Sequence, residues 1–161
     1  MHTGWKVLLG AGLVLSWGCG KGPAKSAGSS GTEKMPSVEE QCVHDAAIKR
    51  EPQPNPPTKI VVSHILVRHA DLDRPLGAKR TRQQACRRAL EALHALKGGM
   101  SWAEAVRKYS DAPGPDDGAL GEVTKDDLDP AFAGAAFALE VDELSYVVES
   151  KRGYHVILRN E

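Results

Sequence analysis

Few side chains in this 161-residue chain could do chemistry, and they are widely spaced. The three cysteines, Cys19, Cys42 and Cys86, form no CxxC pair and share no Cys/His spacing suited to a metal ion. Two histidines stand out because each sits inside an apolar run: His64 in KIVVSHILVR and His155 in RGYHVILRNE. A lone strand histidine is ordinarily a hydrogen-bonded core residue. A metal centre would need a further ligand at fixed spacing, and none is present. No metal and no cofactor is expected.

The elements that must position these residues are legible in outline. Lys59–Arg68 is rich in β-branched residues with apolar positions on both faces, and so reads as a central strand. Thr81–Leu96 places apolar residues at 85, 86, 89, 90, 93 and 96, a helical spacing, with Thr81 as N-cap and Gly98-Gly99 as terminator. Ser101 with Glu104 forms a capping box for a helix over Trp102–Tyr109. Asp111–Gly121 reads as a loop entering a short strand, and Pro130–Leu139 as a helix begun by proline. Leu144–Glu149 and Gly153–Asn160 read as two more strands. The order β-α-α-β-α-β-β implies an α+β domain with an antiparallel sheet.

The N-terminal third reads differently. Residues 1–18 combine Lys6 with an apolar run too short to span a bilayer, the anatomy of a signal peptide. Residues 20–37 have flexible linker composition, and Glu51–Pro57 packs four prolines into seven residues as a stiff spacer. Val38–Lys49 is one short helix at most. The whole of residues 19–57 is therefore expected to be a flexible tether, with the domain boundary near Thr58. Cys86 shares a helix face with Ala89, Leu90 and Leu93, so a buried free thiol is expected there rather than a bond to Cys42.

The end of the leader, Ser16 to Cys19, resembles a bacterial lipoprotein signal. That resemblance implies lipidation of Cys19, a membrane anchor, and an exported, envelope-facing location on the periplasmic side or the outer membrane. Ordinary cleavage to a soluble secreted protein is the alternative. From Thr58 onward the chain resembles the parvulin (PpiC/rotamase) family of peptidyl-prolyl cis/trans isomerases. The resemblance is carried by SHILVRH (63–69), YSD (109–111), GALGEV (118–123), LDPAFAGAAFAL (128–139), DELSYVV (142–148) and RGYHVILRNE (152–161). It implies a four-stranded antiparallel sheet surrounded by three to four helices, with substrate held over one sheet face. It also implies catalytic roles for His64, Asp111, Ser150 and His155, and a proline pocket of Leu120, Leu128 and Phe132.

Prolyl isomerisation makes no bond to the substrate. The barrier of about 18–20 kcal/mol is amide resonance, and lowering it by about 5–7 kcal/mol gives a gain near 10⁴–10⁵. The expected partners are proline-containing unfolded or exported polypeptides. One departure from the family is Ala112, where many members carry Cys or Asp. It motivates a weakly catalytic or non-catalytic peptide-binding chaperone as the alternative. Arg68 and Arg74 match basic positions of phosphoserine/threonine-directed members, but Asp71 and Asp73 oppose an anion there.

Charge separates further classes. There are 21 Lys+Arg against 21 Asp+Glu, which argues against a nucleic-acid partner. The zero is a cancellation: Arg74–Arg88 holds six basic residues and no acid, while Asp111–Glu143 holds ten acids against Lys125 alone. The acidic segment is expected to border the proline pocket and to favour basic residues beside the substrate proline.

Overall fold

The computed structural model describes residues 37–114 and 116–161. The signal peptide, Cys19 and most of the Gly/Ser-rich linker lie outside the described residues. The chain runs α1 (Val38–Ala46), β1 (Ile60–Val67), α2 (Arg82–Lys97), α3 (Trp102–Tyr109), β2 (Ala119–Val123), a single 3-10 turn (Lys125–Asp127), α4 (Pro130–Ala136), β3 (Val148–Ser150) and β4 (Gly153–Arg159). The four strands form one antiparallel sheet in the order β2-β1-β4-β3. The two longest strands are therefore central, and the expected α+β architecture with four helices is observed.

Strand periodicity divides the core in two. Side chains alternate across a sheet, so Ile65, Val67, Tyr154 and Val156 face one way and pack on the Ala85, Cys86, Ala89 and Leu93 face of α2. Ile60, Val62 and Ile157 face the other way, against Phe132, Ala136 and Phe137 from α4 and its end. The helix starts are set by local chemistry. Thr81 and Ser101 each accept from the N3 backbone N–H, and Gln84 and Glu104 reach back to the cap backbone. Asp129 accepts from Ala131 N ahead of Pro130, which begins α4.

Three expectations need correction. First, Cys42 and Cys86 are joined in a disulfide, with Cα atoms 5.9 Å apart. The face reading of Cys86 holds, since it is buried, but α1 docks on that same face and supplies Cys42 as partner. Second, residues 38–57 are not all tether. Ser37 caps α1 in a capping box, and Arg50 and Gln53 bind Glu143 and the Leu139 carbonyl, 93 and 86 residues along the chain. The compact unit begins well before Thr58. Third, the strand read over Leu144–Glu149 is shorter. Leu144 makes a single bridge to Leu158, and regular pairing begins only at Val148.

Candidate active site

The strand register builds a diagonal of polar side chains across the α4-facing side of the sheet. His155 on β4 pairs with Leu66 on one side and with Val148 on the other. His64 lies two residues from Leu66, and Ser150 two residues from Val148, so all three share one face as diagonal neighbours. The rings of His64 and His155 stack with centroids 5.3 Å apart, and their Nδ1 atoms are 3.2 Å apart. His155 Nε2 lies 2.7 Å from Ser150 Oγ, which also accepts from the Arg152 backbone N–H. Phe132 from α4 stands edge-on to both rings, at 5.7 Å from His64 and 5.0 Å from His155.

The backbone at His64 is set by the loop before β2. His64 N donates to the Gly118 carbonyl at 2.9 Å. Gly118 has φ +75°, and a Cβ there would stand 2.2 Å from the His64 carbonyl oxygen. Only glycine allows that approach. Beyond it the β1–β2 register slips: Ser63 pairs with Ala119 but Val62 with Gly121, so Leu120 is the extra residue of a bulge. The bulge leaves Leu120 at 40% exposure, turned into the groove.

These residues enclose an open cavity of about 180 Å³, lined by Leu120, Val123, Leu128 and Phe132 as the apolar part and by His64, His155 and Ser150 as the polar part. Asp127, Asp129 and Arg152 complete the rim. Both histidines are held neutral. Burial lowers His64 to about 4, with the Arg152 and Arg68 charges pushing the same way. Burial pushes His155 well below its ordinary value, and His64, Arg152 and Arg68 add to it.

Neutral rings carry one N–H each, so the Nδ1–Nδ1 contact has one donor and one acceptor. Two concerted arrangements satisfy the chain. If Ser150 donates to His155 Nε2, then His155 Nδ1 donates to His64 Nδ1 and His64 Nε2 carries a proton. If His155 Nε2 donates to Ser150, then His64 Nδ1 donates inward and its Nε2 is a bare acceptor. The state of Ser150 thus fixes what His64 presents beside the apolar cavity.

The other sequence-derived residues fall in different places. Arg68 and Arg74 line an adjoining basic cavity of about 400 Å³ together with Lys151 and Arg152, with Asp73 as the one acid. Arg152 lines both cavities. Asp111 is not brought to the histidine pair. Its carboxylate accepts from the Arg68 backbone N–H and from Arg80, and its own N–H bonds the Leu66 carbonyl. It fastens the end of β1 and lines no part of the proline-sized cavity. Asp127 and Asp129 belong to the acidic segment expected to border the pocket, and both line it. For Arg152 and Lys151 the sequence signal is the β3–β4 turn after Ser150.

A four-stranded antiparallel sheet in the order β2-β1-β4-β3, packed with helices α1 to α4, is the parvulin-type fold. The PPIC-type PPIase (rotamase) family profile matches residues 64–161, and the chain belongs to that family. It is 37% identical over 109 residues to peptidyl-prolyl cis-trans isomerase pin1 of Schizosaccharomyces pombe, covering 63% of this chain and 62% of that protein. It is 44% identical over 72 residues to foldase protein PrsA of Halalkalibacterium halodurans, covering 44% of this chain and 22% of that protein. Among solved structures, the PPIase domain of TBPAR42 superposes with a TM-score of 0.57 at 31% identity, covering 63% of this chain and 99% of that one. The chain thus spans less than two thirds of the curated relatives it matches.

Proposed function

We propose that this protein isomerises prolyl peptide bonds in unfolded or exported polypeptides, without covalent chemistry. The observation that carries this reading is the juxtaposition of an apolar cavity with the neutral His64–His155–Ser150 chain. Leu120, Leu128 and Phe132 would hold the proline ring and keep water from the imide. Water stabilises the planar, resonance-polarised amide, so its removal favours the twisted state. His64 and His155 would then fix hydrogen bonding beside that imide without placing a charge there. Ala112 bears no side chain able to act as nucleophile or acid, which fits a mechanism of grip and desolvation.

The test is isomerisation of an Ala-Pro peptide by the full chain, followed by exchange spectroscopy. Acceleration that falls at least tenfold in both His64→Ala and Leu128→Ala, with the fold retained, is expected. Binding of the peptide without acceleration would favour the non-catalytic chaperone instead.

A second reading concerns specificity. The cavity of Arg68, Arg74, Lys151 and Arg152 adjoins the proline site through Arg152, which favours an acidic or phosphorylated residue next to the proline. Preference for a phosphoserine-proline peptide that disappears in Arg74→Ala would support it, and equal rates on plain peptides would sink it. An envelope location is supported by the Cys42–Cys86 disulfide, since such bonds persist in oxidising compartments. Lipid labelling that is lost in Cys19→Ser would test the anchor.

A further inference from the structure

A second, larger groove adjoins the proline-sized cavity. Asp129 and Ser150 line both, and the groove measures about 780 Å³. That groove runs between α4, the segment Ser145–Lys151 and the residues around the end of α1. Its walls carry Ile48, Pro52, Ala131, Tyr146 and Val148. Ile48 is 63% exposed and Tyr146 40% exposed, so large apolar side chains stand in water beside an open channel.

The wall made by residues 45–52 is held at both ends. Behind it, Cys42 is bonded to Cys86 in α2. At its other end, Arg50 pairs with Glu143 at 2.8 Å, and Gln53 Nε2 just beyond donates to the Leu139 carbonyl at 3.0 Å. The charged side chains along the groove are balanced: Asp45, Asp129 and Glu149 against Lys49, Arg50 and Lys151. A balanced rim gives no net attraction for a strongly charged partner, whereas the apolar walls favour aliphatic and aromatic side chains.

Building on the isomerase reading, we propose that this groove is a second part of the polypeptide site, taking apolar residues that flank the substrate proline in the same extended chain. The N-terminal segment then acts as a substrate-binding wall rather than a tether. The disulfide sets where that wall stands. The two residues shared with the proline cavity, Asp129 and Ser150, name the occupant: an extended chain with its proline in one has the other beside it.

The test compares two peptides on the full chain: a tetrapeptide with a central Ala-Pro, and a 12-residue peptide with the same core and Leu and Phe in its flanks. Affinity is read by fluorescence anisotropy, and isomerisation by exchange spectroscopy. The long peptide is expected to bind about tenfold tighter, the scale of one or two buried apolar side chains. Ile48→Ser and Tyr146→Ser, both at exposed positions, are each expected to remove most of that gain and leave tetrapeptide turnover unchanged. Cys42→Ser with Cys86→Ser should do the same by releasing the wall. Equal affinity for both peptides, or a gain that survives both surface variants, overturns the proposal. So does a concentration-dependent dimer abolished by the same variants while peptide affinity holds, which would make a second copy the occupant. Loss of turnover on the tetrapeptide with the anisotropy gain intact would refute the isomerase reading and leave the groove standing.

Discussion

Acid should weaken this protein through its histidine pair, and the size of the effect follows from the burial of one ring. His64 has an ordinary value of 6.5 and is lowered to about 4 in the fold, first by desolvation and then by Arg152 and Arg68. The folded state therefore binds fewer protons than the unfolded chain between those values. Stability tied to His64 is fully present above about pH 6.5, declines as pH falls through that value, and levels out below about pH 4. At about 1.4 kcal/mol per pH unit, the loss is roughly 3 kcal/mol by pH 4. That is a large fraction of a typical domain stability of about 5–15 kcal/mol. His155, lowered by burial in the same direction, steepens the decline.

The assay is urea unfolding from pH 8 to pH 4, on the wild type and on His64→Gln. Glutamine keeps a hydrogen-bonding side chain but cannot take up the proton. The wild type should lose about 3 kcal/mol more than the variant across this interval. Direct titration of the His64 ring by NMR should give a midpoint near 4. Turnover should be flat from pH 8 to pH 6 and fall below about pH 5, as His64 gains a charge beside the apolar cavity. Parallel stability profiles for the two proteins, or a ring titrating near 6.5, would refute the reasoning: the pair would then be solvated and would not present a neutral face to the substrate.

Three further outcomes are expected. Ser150→Ala leaves the buried Nε2 of His155 without its partner, costing about 1–3 kcal/mol; turnover should fall about tenfold and recover in Ser150→Thr, measured by urea midpoints and peptide exchange. Gly118→Ala forces a Cβ into the His64 carbonyl at a φ that alanine resists, so a loss of several kcal/mol is expected, with hydrogen exchange accelerated in β1–β2 before β3–β4. Reduction of Cys42–Cys86, which closes a separation of 44 residues, should lower stability by about 3–4 kcal/mol on loop-closure entropy, readable as a fall in Tm on adding reductant.

How much of this was legible depended on whether a signal was local. The helix caps at Thr81 and Ser101 were, because a capping box needs only residues three apart. The central strand and the apolar face of α2 were legible from their periods alone. The site was legible only in part. His64, His155 and Ser150 meet through register across three strands, and no spacing in the chain encodes that meeting; it came from likeness to a family. The same likeness pointed to Asp111, whose partners Arg68 and Arg80 lie 43 and 31 residues away. A carboxylate beside a catalytic motif reads the same whether it faces a substrate or fastens a strand end.

The N-terminal segment shows why composition alone misleads. Four prolines in Glu51–Pro57 argue correctly against helix and central strand. They do not argue against docking, because an extended segment loses little conformational freedom when fixed and so needs few contacts to stay fixed. Here those contacts are one disulfide, the Arg50–Glu143 pair and two hydrogen bonds from Gln53. All of them reach residues more than 40 positions away, and Cys42 and Cys86 are each unremarkable until α1 is laid on α2. Of these residues Pro52 lines the groove proposed above, where a preorganised edge would give up little entropy on binding a polypeptide.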